Sequence, residues 1–232
     1  MLFRSVEWYF DRDSAIYVTG FRREIQGLVV PLTVLEYIPN NGIQAGATDY
    51  FAITRPVNAS DGVLKGVEVG LTYFPDYLPS LFKGFGFQGS VTVLKSKQNI
   101  PLTDSAGNIT GEATSPFFNV SKLSYNATLA YDRGPFNARL SYIWREGFLH
   151  NNEARLFANP IGVWRKPEKS LDMQVNYKVN DRLALSFDAV NLTEEIAQSY
   201  YKFGSAGGPA TYNFGSALLS RTFAVGLRYQ FD

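Results

Sequence analysis

Along residues 221–231 the chain alternates strictly. Phe223, Val225, Leu227, Tyr229 and Phe231 fall on one face, and Thr222, Ala224, Gly226, Arg228 and Gln230 on the other. A period of two marks a β-strand with one apolar face. Two aromatics at the extreme end, with small or polar residues opposite the apolar face, fit a strand that crosses a membrane. The same period recurs upstream. Phe136, Ala138, Leu140, Tyr142 and Trp144 alternate with Asn137, Arg139, Ser141, Ile143 and Arg145. Leu171, Met173, Val175, Tyr177 and Val179 alternate with Asp172, Gln174, Asn176 and Lys178. Residues 125–131 and 66–73 repeat it.

Short turns are expected at Asp11-Arg12-Asp13, at Asp132-Arg133-Gly134-Pro135 and at Asn180-Asp181-Arg182, with a slightly longer one from Pro75 to Lys83. Between them lie long polar, Gly/Asn/Pro-containing segments near 38–48, 99–117, 149–167 and 204–215, read as loops. Short turns at one rim and long loops at the other are the arrangement of outer-membrane barrels. Aromatics flank the turns at Phe10, Tyr73, Phe85, Tyr131, Phe136, Tyr177, Tyr229 and Phe231, which reads as an interfacial girdle. The pattern predicts an all-β chain of about nine antiparallel strands, roughly 4–10, 14–37, 49–74, 84–98, 118–131, 136–148, 168–179, 183–203 and 213–231. A bulge is expected around Pro56–Gly62, where proline interrupts the ladder.

Charge and composition narrow the functions. With 22 Lys+Arg against 21 Asp+Glu the net charge is +1, so nothing electrostatic points to nucleic acid. No run approaches the ~18–20 apolar residues of a spanning helix. Cysteine is absent, which removes disulfides, thiolate nucleophiles and cysteine metal sites. The single histidine, His150, has no second histidine to help hold a metal and no nucleophile elbow nearby, so no catalytic residue, cofactor or metal is expected. The first ten residues do not read as a secretion signal. Nine is odd, whereas single-chain bacterial barrels close with even numbers, and open edges in lipid leave backbone groups unpaired. The whole chain, 1–232, is therefore expected to be the C-terminal wall of a larger transmembrane barrel, with a plug and N-terminal strands outside it.

In order, the strands resemble the C-terminal part of TonB-dependent receptors. The resemblance rests on Ser5-Val-Glu-Trp-Tyr-Phe, Leu64-Lys-Gly-Val-Glu-Val-Gly, Phe74-Pro-Asp-Tyr-Leu-Pro and Gly84-Phe-Gly-Phe-Gln-Gly. It continues through Leu123-Ser-Tyr-Asn-Ala-Thr-Leu-Ala-Tyr-Asp-Arg-Gly-Pro-Phe, Ala138-Arg-Leu-Ser-Tyr-Ile-Trp-Arg, Leu185-Ser-Phe-Asp-Ala-Val-Asn-Leu-Thr-Glu-Glu and the terminal strand. It implies a barrel of about 22 strands closed by an N-terminal plug. It also implies uptake of a scarce small-molecule solute at the bacterial outer membrane, powered by the TonB energy-coupling complex through the part outside this chain. Carbohydrate is the first guess for the solute and an iron chelate the second. The Gly-x-x-Tyr-x-Phe ending, Gly226, Tyr229 and Phe231, resembles the signal read by the barrel assembly machinery. Two other readings stay open: a small passive pore or structural barrel, and a soluble β-sandwich interaction module.

Individual residues carry two meanings each. Gly84, Gly86 and Gly89 match a dinucleotide loop, but a strand pattern rather than a helix follows, so they are read as easing strand curvature. Arg139, Arg145, Asp172, Lys178, Asp188 and Arg228 are expected on the barrel interior, as a hydrated wall or as a solute path. Phe148, Trp164, Tyr200 and Tyr201, with Asn151, Asn152, Arg155 and Arg165, are the candidate ligand contacts on loops, able to stack on sugars or to hold an anionic chelate.

Overall fold

The computed structural model describes residues 1–27, 29–39, 50–58, 61–103, 109–153, 161–202 and 211–231. Among them every regular element is a strand. In chain order they are β1 (Leu2–Asp11), β2 (Ser14–Ile25), β3 (Val29–Tyr37), β4 (Tyr50–Asn58), β5 (Gly62–Tyr73), β6 (Phe85–Thr103), β7 (Ile109–Ser115) and β8 (Leu123–Arg133). Then follow β9 (Phe136–Arg145), β10 (Phe148–Glu153), β11 (Ile161–Arg165), β12 (Glu168–Lys178), β13 (Leu183–Val190), β14 (Ile196–Lys202), β15 (Thr211–Leu218) and β16 (Thr222–Tyr229).

The principal sheet runs β1-β2-β5-β6-β8-β9-β12-β13-β16, all antiparallel, with β7 paired to the outer end of β6. That path is nine strands long, as the alternation predicts. The expected short turns join β1 to β2, β5 to β6, β8 to β9 and β12 to β13 at one rim. At that rim Asn180 Oδ1 accepts from the amides of Arg182 and Leu183 (both 2.9 Å), and Gly134 takes the left-handed φ of 55° that its turn requires.

The opposite rim departs from expectation. Segments read as loops are largely strands. β6 runs on to Thr103 and pairs with β7, while β10, β11, β14 and β15 form a second, four-stranded sheet. β3 and β4 make a third. Most of 38–48 lies outside the described residues. Several long strands are therefore broken in two: β2 from β3 after Ile25, β9 from β10 at Glu146-Gly147, β13 from β14 at 191–195, and β15 from β16 at 219–221. The strand expected from residue 118 starts at Leu123. Pro56 itself stays in its ladder, paired with Pro31 inside β3–β4; β4 ends at Asn58 and β5 begins at Gly62, within the span expected to be irregular.

Register decides the faces, because directly opposed residues in an antiparallel pair share one. Val18, Val69, Val91, Tyr125 and Trp144 line up across five strands. Leu129, Leu140, Met173, Ala189 and Phe223 do the same farther along. This face is apolar and uncovered: Val225 is 82% and Leu227 69% exposed. A soluble sandwich would bury such a face against a second layer. Here it is a surface for lipid. At the short-turn rim its rings form a chain, with Trp8–Phe10 centroids 5.4 Å apart, Phe10–Tyr73 6.1 Å, Phe85–Tyr131 4.6 Å, Tyr131–Phe136 5.9 Å and Tyr229–Phe231 4.8 Å. The expected girdle is present.

Candidate functional site

The other face of the nine-stranded sheet is polar and knitted along its length. Ser5 and Thr19 hydroxyls lie 2.9 Å apart, and Tyr17 Oη donates to Glu68 (2.6 Å). Asn126 Nδ2 donates to Ser90 Oγ (2.8 Å), Thr128 meets Ser141 (2.9 Å), and Gln174 Nε2 donates to Asp188 (2.8 Å). Arg139, Arg145, Asp172, Lys178, Asp188 and Arg228 all fall on this face, as expected. Most hydrogen-bond to neighbours in the same wall, so the wall positions its own polar groups before any ligand arrives.

At the far end of this face the nine-stranded sheet gives way to the upper one. Arg145 Nε donates to Glu168 Oε2 (2.9 Å), and its guanidinium lies 4.2 Å from the centroid of the buried Phe148 ring. Where the sheets part, a cavity of about 310 Å³ is lined by Arg145, Glu168, Lys169, Glu195 and Leu219. Asn191 fastens the junction. It adopts φ 57°, its Nδ2 donates to Leu219 O (2.6 Å), and its Oδ1 accepts from Glu195 N (3.1 Å). Its own amide donates to Asp172 Oδ1 (2.9 Å). Asn and Asp tolerate the left-handed region best after Gly, which accounts for the residue type. Asn191 carried no functional weight in the sequence; the Asn-Leu-Thr after an alternating run was its only signal.

The candidate ligand contacts are on strands, not loops. Phe148, Asn151 and Asn152 belong to β10, Trp164 and Arg165 to β11, Tyr200 and Tyr201 to β14. Arg155 lies outside the described residues. The register divides the rest. Phe148 pairs with Arg165, and Val163 pairs with both Asn151 and Tyr201, so Phe148, Asn151, Arg165 and Tyr201 share a face. Trp164 pairs with Tyr200, and Gly162 with Asn152, so these three candidates occupy the reverse. Arg145, from the polar face below, covers Phe148 and shows that the Tyr201 side adjoins that face. On the reverse, Lys202 Nζ sits 5.2 Å from the Trp164 ring. One ligand cannot rest on Trp164 and Tyr201 together.

The glycines of the dinucleotide-like run have packing reasons. Gly84 has φ 105°, and a Cβ there would meet Asp132 O at 2.1 Å; Gly86 lies under the Phe74 ring, 2.1 Å from where its Cβ would be. The strand that follows, β6, leaves no helix to receive a phosphate. Of the proposed assembly residues, Tyr229 and Phe231 are exposed on the apolar side, and Gly226 faces Ser186 on the polar one.

A membrane-spanning wall of antiparallel strands, apolar outside and polar inside, defines an outer-membrane type of β-barrel protein. Residues 3–192 match the family model described as TonB dependent receptor-like, beta-barrel, and the chain belongs to that family. Comparison with curated proteins gives no match. Among solved structures, a point variant of the ferric enterobactin receptor from Pseudomonas aeruginosa is 16% identical with a TM-score of 0.56, covering 99% of this chain and 31% of its own. A copper transporter is 13% identical (TM-score 0.56; 99% and 31%). A ferric-catecholate import receptor from E. coli K12 is 12% identical (TM-score 0.54; 98% and 27%). The chain thus spans about a third of these receptors' length, and at such identities the likeness shows the fold.

Proposed function

We propose that this chain forms the C-terminal wall of a larger outer-membrane receptor that takes up a scarce solute with energy delivered by the TonB complex. The observation that carries this is the two-faced, nine-stranded sheet within a TonB-dependent receptor barrel family. Among the described residues the path ends at β1 and β16 without joining them. Exposed strand edges in hydrocarbon leave amides and carbonyls without partners, so further strands of the same protein complete the ring. A plug then fills the polar interior that Arg139, Lys178 and Arg228 line.

For the solute, carbohydrate loses first place to a metal chelate. The solved receptors described above bear names that speak of ferric enterobactin, copper and ferric catecholates. On the Tyr201 side of the upper sheet, Tyr201 offers a ring, Asn151 a donor and Arg165 a cation to an anionic aromatic chelate, with the buried Phe148 behind them. The test is titration of the full-length receptor with ferric enterobactin and with maltodextrin at low and high salt. Ferric chelate binding that weakens with salt supports the reading; sugar binding alone, insensitive to salt, overturns the chelate class.

A further inference from the structure

On the apolar face, the outer ends of β2, β5 and β6 carry a row of like charges. Arg22 pairs directly with Lys65, and Lys65 directly with Lys95. These share the face of Val18, Val67 and Val93, since each lies an even number of residues away along its strand. Lys97, opposite Val63, extends the row by one step. All four are exposed. With strands about 4.8 Å apart, three cations stand across about 10 Å of wall.

Like charges directly opposite each other destabilise a sheet, and among the described residues only Arg22 of this row has a carboxylate partner. Glu24 holds Arg22 (2.6 Å), but among the described residues no ion pair holds Lys65, Lys95 or Lys97. Farther along the same face two cations have carboxylate partners. Lys169, on the same face of β12, is tied to Glu195 (3.2 Å), and Arg221 to Glu194 (2.7 Å). The unmatched row therefore asks for an anion from outside the protein.

Its height says which kind. From Tyr73 in the aromatic rim, the outward residues of β5 run Leu71, Val69, Val67, then Lys65. Tyr73 to Lys65 covers nine residues, about the length with which a tilted strand crosses the hydrocarbon. Lys65 thus lies where hydrocarbon ends and headgroups begin, on the rim away from the short turns. We infer that Arg22, Lys65 and Lys95, flanked by Lys97, form a binding site on the outer wall for the phosphate-bearing headgroup of an outer-leaflet lipid, whose acyl chains lie against Val67, Val69, Val91 and Val93. This rests on the apolar face being the lipid face, not on the identity of the solute.

The experiment uses the full-length receptor in non-ionic detergent, with dioleoyl phosphatidic acid doped into the micelles and heat-modifiable gel mobility to select assembled molecules. The double variant Lys65→Gln/Lys95→Gln binds the lipid about tenfold more weakly or worse, since each basic residue contributes substantially at an anionic surface. Lys65→Arg/Lys95→Arg retains binding, and millimolar sodium phosphate leaves it unchanged. Should the double glutamine variant fail to assemble, the two single variants carry the comparison, at about threefold each. Unchanged lipid affinity in the glutamine variants overturns the site. Competition by inorganic phosphate as potent as by the lipid overturns the lipid as its ligand.

Discussion

Trp164 and Tyr201 stand one residue row apart on neighbouring strands and point to opposite sides of the sheet, because Trp164 pairs with Tyr200 and Val163 with Tyr201. Their contributions to ligand binding are accordingly separate. Tyr201→Ala, on the side next to Arg145 and Phe148, weakens binding; Trp164→Ala leaves it near that of the parent. In the double variant the effects add to within about 0.5 kcal/mol, as for residues without shared partners. A double-mutant cycle on ligand affinity checks this, and strong coupling would place both rings on one ligand.

The two faces of the wall differ in what they tolerate. Arginine at Leu140 or Val175, both near the middle of their strands on the apolar face, destabilises the assembled barrel by about 2–4 kcal/mol if it sits at the bilayer midplane. Arginine at Ser141 or Asn176, one residue along on the polar face, costs much less. Urea unfolding of the full-length receptor in lipid vesicles measures both. Equal losses on the two faces would refute the assignment.

Asn191 ties β12, β14 and the 219–221 crossing together through its side chain and its backbone amide. Asn191→Ala removes two side-chain hydrogen bonds and leaves a small branchless residue at φ 57°, costing about 2–4 kcal/mol. Asn191→Gly loses the same hydrogen bonds without the backbone penalty and falls between the two. Proteolysis at the 191–195 junction reports the order, and a glycine variant weaker than the alanine one would show that φ is not the cause.

Glu194, outside the spanning strands, is held below the usual carboxyl range, chiefly by its hydrogen bond from Arg221 and then by that cation's charge. A lowered folded pKa means that the pair stabilises fully above the ordinary glutamate pKa and loses its effect as pH falls through the folded value. Glu194→Gln should flatten this acid-side loss and leave the neutral and alkaline behaviour alone. The unfolding midpoint followed from neutral to acid pH tests the sign; the same acid slope in the variant would assign it to other groups.

Phe231 is 82% exposed and packs edge-on against Tyr229, with ring planes 72° apart. Phe231→Ser in the full-length receptor lowers the amount reaching the outer membrane without altering solute affinity in molecules that assemble. Quantitative blotting of membrane fractions beside a binding isotherm separates the two. Normal levels would remove the terminal aromatic from the assembly signal.

The nine-stranded sheet was legible because one side of it meets lipid. Residues 136–145 and 171–178 alternate cleanly, and the turns at Gly134 and Asn180 carry their own chemistry. The upper strands escaped because nothing in β10 or β11 alternates between apolar and polar. In Phe-Leu-His-Asn-Asn the buried Phe148 and Leu149 are adjacent, and a register shift between Leu149 and Asn151 leaves His150 without a partner in the ladder. Pairing there is settled by neighbours distant in sequence, which no local pattern displays. The division of the candidate ligand residues follows from this register: the shift keeps Phe148 and Asn151 on one face, and Trp164 and Arg165, like Tyr200 and Tyr201, alternate as strand neighbours. Aromatic and polar residue types pointed to a surface for recognition; only the register says which of them can act together.

The uninterrupted pairing of β9 with β12, from Phe136↔Tyr177 to Arg145↔Glu168, restricts how this protein can evolve. A single codon gained or lost inside either strand would carry every later side chain of that strand through the membrane wall, setting Gln174 or Asn176 in oil and Val175 or Tyr177 in water. Substitution can wander through these strands one residue at a time, but length can change only in pairs, or at the rims. The descendants of this sequence should therefore vary freely in the sizes of their outer extensions while the stretch from the Gly134 turn to Arg145, and that from Glu168 to the Asn180 turn, each keeps its parity.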